Sequence, residues 1–167
     1  MIKARHFIFH YLLLQIKIRP MKSFDSDEIL IVEDNPDDAE LMVRTLWKLK
    51  ITKQVFITED GEAALDYIFC RGKFASGNPS KPLKVIFLDL KLPKINGLEV
   101  LKEIKSKEAT KKLPVVIITS SREDSDIKSA YELGANSYIV KPVNFDAYIH
   151  VIGAMGDYWL KLNETQG

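Results

Sequence analysis

Residues 85–105 read VIFLDLKLPKINGLEVLKEIK, and the order of residue types in that stretch decides the fold. Val85, Ile86, Phe87 and Leu88 form an apolar run without polar alternation, as expected of a strand covered on both faces and hence of a parallel sheet. The run stops at an acid, Asp89. Asn96 and Gly97 then read as cap and turn for an amphipathic helix over about 97–107. Strand, polar loop and helix make one β–α unit.

The same unit recurs on both sides of this stretch. Apolar, β-branched runs at 29–32, 54–57, 115–118 and 137–140 alternate with amphipathic stretches at about 36–49, 61–70, 122–133 and 144–160. In the first of these Ala39, Leu41, Met42, Leu46 and Leu49 recur at helical spacing. Five β–α units in this order predict a doubly wound α/β fold: a five-stranded parallel sheet with helices on both faces and right-handed crossovers. No internal repeat interrupts it. The Gly-, Pro- and Ser-rich segment RGKFASGNPSKP, residues 71–82, reads as a loop before the third strand, either a partner-recognition element or simply a longer connection.

Composition narrows the functional classes. A chain of 167 residues, 46% hydrophobic and 28% charged, has room for one globular domain. The single cysteine, Cys70, excludes an intrachain disulfide and a cysteine-based zinc site, and a reducing, cytoplasmic compartment is expected. A net charge of +1 argues against a nucleic-acid binder. That balance is uneven. Four of the 24 basic residues (Lys3, Arg5, Lys17 and Arg19) stand in residues 1–20, where there is no acid, so the remainder is mildly acidic. This leader is too interrupted for a membrane span and lacks a signal-peptide cleavage site. It is expected to lie upstream of a true start at Met21; the rival is an amphipathic lead-in that docks on the domain or a membrane.

Ligands of such sheets bind beyond the carboxyl ends of the strands, so the chemistry is read where each strand stops. The first strand ends in Glu33 and Asp34, the third in Asp89, the fourth in Thr119 and Ser120, and the fifth in Lys141 and Pro142. Clustered carboxylates are hard to keep ionised without a cation between them, and hard oxygen ligands select Mg2+. A cation, a lysine and a hydroxyl together suit a phosphoryl group. No G-x-G-x-x-G or G-x-x-x-x-G-K-[ST] follows the first strand, which argues against a nucleotide held there by its phosphates.

The strings ILIVEDNPDD, VIFLDLKLPKINGLEVLKEIK, VVIITSS and GANSYIVKP resemble the receiver domain of two-component response regulators. The spacing agrees, with 30 positions from Asp89 to Thr119 and 22 from Thr119 to Lys141. EDNPDDAELMVRTL, the 71–82 loop and the terminal GDYWLKLNE are similar to single-domain regulators of phytochrome-type histidine kinases. The resemblance implies a flavodoxin-like sheet of order 2-1-3-4-5, a receiver over 27–155, and a C-terminal extension over 156–167.

It also implies roles. Asp89 is the expected phosphoacceptor. Asp34 is expected to ligate Mg2+ directly and Glu33 through water, completed by the Asp89 side chain and the Lys91 backbone carbonyl. Lys141 is expected to pair with the phosphoryl oxygens, aimed inward by a cis peptide before Pro142, and Thr119 to bond the phosphoryl group. Tyr138 is the expected switch, swinging inward behind Thr119 as the face of the fourth helix, fifth strand and fifth helix repacks.

Each role has a plainer rival: Thr119, Ser120 or Ser121 as a helix cap, Lys141 as a solvated lysine, Tyr138 as packing. Asn35, Pro36, Asp37 and Asp38 read as a helix start and nothing more. His6, His10 and His150 belong to no phosphodonor motif, so the chain is expected to receive phosphate. Cys70 reads as a helix-end packing residue.

About a dozen residues follow the last receiver helix, so output is expected through protein–protein contact. Tyr148, Ile152, Met155, Trp159 and Leu162 form a stripe, interrupted by Gly153 and Gly156, for which a homodimer is expected; the alternative folds Trp159 back on its own domain. Two other functional classes are weighed against the phosphoacceptor switch. A Mg2+-dependent aspartyl phosphohydrolase is disfavoured because Lys91 stands where its general acid belongs, and a receiver used only for docking would have lost the acceptor, the acids or the lysine.

Overall fold

The computed structural model describes residues 29–51, 55–76 and 83–164. The leader and Met21 lie outside the described residues. Five strands, β1 (Ile29–Val32), β2 (Val55–Thr58), β3 (Val85–Leu88), β4 (Val115–Thr119) and β5 (Ser137–Val140), alternate with five helices. These are α1 (Pro36–Lys48), α2 (Gly61–Ile68), α3 (Gly97–Ser106), α4 (Asp124–Glu132) and α5 (Phe145–Asp157), which runs into a π-helical turn, Tyr158–Leu162. The sheet has the order β2-β1-β3-β4-β5, and every neighbouring pair is parallel.

The apolar strands divide their side chains between two cores, because successive residues of a strand face opposite ways. Ile29, Ile31, Val85, Phe87, Val116 and Ile118 pack with α1 and α5 on one face. Leu30, Val32, Ile86, Leu88, Val115 and Ile117 pack with α2, α3 and α4 on the other. Register follows from this alternation: a slip of one residue exchanges the two cores. Among the described residues no helix is long and apolar enough to cross a membrane.

Side-chain caps set most helix starts. Asn35 accepts from the Asp37 and Asp38 amides, Asp60 from Ala63 and Asn144 from Ala147, while Asn96 and Glu99 form a reciprocal capping box. The start of α4 lacks a side-chain cap, and Ala130 is its one fully buried residue. After α2, Phe74 inserts edge-on against the stacked Phe56 and Tyr67 rings, which anchors the beginning of the 71–82 loop.

The apolar stripe of α5 corrects an expectation. Tyr148, Ile152, Met155 and Trp159 are core of a single chain, packed with Met42 and Leu46 of α1. Of the expected dimer stripe only Leu162 is exposed, at 71%. The interrupting glycines explain the difference. A Cβ on Gly156 would lie 2.6 Å from a Leu46 methyl, and one on Gly153 would lie 2.7 Å from a Leu49 methyl. Their hydrogens let α1 and α5 close on each other, and Trp159 folds back on its own domain.

Trp159→Ala is therefore expected to lower folding stability by about 3 kcal/mol. Urea denaturation at low protein concentration checks this, since the contacts are intramolecular.

Candidate functional site

The parallel ladder runs one residue past β1 and β3. The Glu33 amide donates to the Thr58 carbonyl and the Asp89 amide to the Val32 carbonyl, both at 3.0 Å, which sets the two acids side by side on the carboxyl edge. β5 is latched in the same way, with the Lys141 amide donating to the Thr119 carbonyl at 2.8 Å. Gly97 closes the edge from above: a Cβ there would lie 2.2 Å from the Asp89 carbonyl oxygen, so only glycine lets α3 start this near.

Lys141 reaches into the rim. Its Nζ donates to Glu33 at 2.6 Å, Asp89 at 2.8 Å and Asp38 at 2.9 Å. No peptide bond among the described residues is cis, so the expected cis bond before Pro142 is not what aims Lys141 inward. Its backbone bond to β4 and its three carboxylates do that. Asp38, expected to be a helix-start residue only, is a further member of the site. Asp37 is exposed and matches the helix-start reading.

Carboxylate oxygens of Glu33, Asp34 and Asp89 lie within 4.8 Å of one another. The other Glu33 oxygen accepts from the Asn35 amide at 3.2 Å, and Asp89 Oδ1 accepts from the Lys91 amide at 3.1 Å. The Lys91 side chain is exposed, and its carbonyl belongs to the same loop. Thr119 is fully buried at the end of β4, its hydroxyl accepting from the Ser121 amide at 3.3 Å. Tyr138 lies half-buried on β5 and donates its hydroxyl to the Ser121 carbonyl. The Ser121 hydroxyl donates to Asp126 of α4 and accepts from the Glu123 amide at 3.4 Å, without reaching the amides of the helix's first turn.

Electrostatics follow from burial. Desolvation dominates at Glu33 and pushes its carboxyl up to about 7 against the pull of Lys141, with Asp89 and Asp38 adding to the rise. Burial also acts against the Lys141 charge, but Glu33 and Asp89 outweigh it and hold the ammonium above its ordinary range. Burial raises the Tyr148 phenol too; its hydroxyl finds no hydrogen-bond partner among the described residues and feels the charges of Lys141, Asp38, Glu33 and Asp89. Tyr148, one of the residues of the expected dimer stripe, instead lies in the core beside the rim. Its place between core and rim had no signal in spacing alone.

The residues fit Mg2+. The three candidate ligands are all carboxylates, and the Lys141 ammonium pairs with three acids while Asp34 adds a fourth to the rim, so the rim retains unbalanced negative charge. The cluster is positioned like the Mg2+-binding triad of receiver domains.

The family model for the response regulator receiver domain matches residues 29–152. The probable methanogenesis regulatory protein FilR2 of Methanothrix harundinacea is 39% identical over 83% of this chain and 87% of its own length. Response regulator Rcp1 of Synechocystis is 35% identical over 80% of this chain and 88% of its own. The Mn2+-bound structure of Rcp1 superposes with a TM-score of 0.77 at 33% identity, covering 83% of this chain and 98% of that one. The phosphorylated cyanobacterial phytochrome response regulator RcpA gives 0.78 at 33% identity, covering 85% and 99%.

Two outcomes are expected from this geometry. Lys141→Met strands buried carboxylates and should destabilise the protein in chelator by about 3 kcal/mol, with Mg2+ restoring part of the loss in denaturant titrations. Because Glu33 must ionise to serve as a ligand, Mg2+ affinity should fall as pH drops below 7. Calorimetry in buffers of different ionisation enthalpy should find about one proton released per Mg2+ near pH 6, and little release near pH 8.

Proposed function

The chain belongs to the response regulator receiver family, a phosphoacceptor switch rather than a conventional enzyme, and we propose that its acceptor is Asp89. The observation that carries this reading is the Lys141 ammonium on Asp89 and Glu33 at the sheet edge, beside Asp34. An Asp89 carboxylate oxygen attacks the phosphorus of a phosphohistidine. The O–P bond forms, the P–N bond breaks, and the imidazole nitrogen leaves with the electron pair.

Lys141 meets the charge on the phosphoryl oxygens, and the Thr119 hydroxyl bonds one of them. Mg2+ held by Glu33, Asp34, Asp89 and the Lys91 carbonyl would supply Lewis-acid neutralisation of the same oxygens. Glu33 serves there through water. The switch is Thr119 with Tyr138: once Thr119 turns to the phosphoryl group, Tyr138 leaves the Ser121 carbonyl and moves inward, and the α4, β5 and α5 face repacks.

The donor is a sensor histidine kinase in the cytoplasm. The similarity to Rcp1 and to the phytochrome response regulator RcpA supports one of the phytochrome type. The signal leaves by protein–protein contact. A homodimer through the end of α5 and the residues after it is supported by the exposed Tyr158 and Leu162 rather than by the buried stripe.

Acetyl phosphate with Mg2+ should add the mass of one phosphoryl group to the wild type, and none to Asp89→Asn or in the presence of chelator. Thr119→Ala should take up the group about tenfold more slowly. A phosphorylated Asp89→Asn protein would overturn the assignment.

A further inference from the structure

Lys141 Nζ has three N–H donors, and carboxylates take all of them. The three acceptors are not equivalent. Glu33 and Asp89 side chains are 3% and 7% exposed, sit on strand ends, and each accepts a second bond from a backbone amide. The Asp38 side chain is 30% exposed, in the first turn of α1, and Lys141 is its one hydrogen-bond partner among the described residues.

We infer that Asp38 is a built-in competitor for Lys141, occupying a donor that an arriving phosphoryl group needs and returning to water when that group binds. The inference rests on the reading of Asp89 as phosphoacceptor. Its physical basis is an ordering of release costs. Glu33 and Asp89 are fixed on strand ends by backbone amides with almost no access to water, whereas the Asp38 side chain exchanges its bond for hydration without moving its backbone. If Asp38 stays, its negative charge shares one ammonium with a phosphoryl dianion, and the two anions repel. By either route the Asp38 carboxylate raises the threshold for loading Asp89.

An acid in the first turn of α1 also favours the helix dipole, and that role alone predicts no effect on phosphoryl binding. Asp37 provides the internal control: it has the same charge in the same turn and makes no side-chain bond to Lys141. Asp38 is thus a positioning residue that acts through Lys141.

The test is beryllofluoride, a phosphoryl mimic, titrated at saturating Mg2+ and followed by 19F NMR, with thermal unfolding confirming that each variant is folded. Asp38→Asn is expected to bind about threefold to tenfold tighter than wild type, Asp37→Asn within about twofold, and Asp38→Glu close to wild type. Asp38→Asn binding no tighter than Asp37→Asn, or weaker than wild type, overturns the inference while leaving the acceptor in place. A wild type that binds no beryllofluoride and gains no mass from acetyl phosphate overturns the phosphoacceptor reading and the role of Asp38 with it.

Discussion

The Lys141 ammonium, half-sunk among carboxylates, organises the carboxyl edge of this sheet. Lys141 arrives from β5, at the far end of the strand order from β2, yet its side chain reaches acids carried by β1, β3 and α1. Buried carboxylates this near to each other repel, and in a low-dielectric rim the repulsion is large. The lysine offsets part of it, and what remains is an attraction for a hard cation. Strand order, register and the two cores all serve to bring those groups to one place. The same charge imbalance that strains the rim gives it a use.

Most of this was readable from residue order. The apolar runs are long enough, and polar residues rare enough within them, that five buried strands and a parallel sheet follow directly. Strand ends then name Glu33, Asp34, Asp89, Thr119 and Lys141, and the structure brings Glu33, Asp34, Asp89 and Lys141 together. Asp38 was missed because a helix dipole explains an acid at that position equally well, and spacing along the chain does not reveal which rim a first turn overlooks. The stripe on α5 was legible as apolar but not as internal. Helical periodicity shows that a face is buried, not whether its own chain or another one buries it. Gly153 and Gly156 looked like helix weakeners, while their meaning lay in the leucines of α1 across from them.

The two sides of the sheet are held differently. α1 and α5 meet through glycines and large side chains, and Trp159 of the π-helical turn is buried among them. Across the sheet α3 is pinned by a capping box and by Gly97 against the backbone of Asp89 and Leu90. Both arrangements resist movement, and they frame the acids and the lysine rigidly. β5 is a softer element, with every residue half-buried.

The uncapped start of α4 and its single fully buried residue carry a further consequence. Backbone amides exchange with solvent through the least costly opening available, and α4 offers the fewest contacts to break. Among the described helices its amides are therefore expected to exchange first, ahead of those of α1, α3 and the central strands, whose residues are more deeply buried. Among the described residues the helices thus differ in how much holds them in place, and α4, beside Ser121 and Tyr138, is held by least.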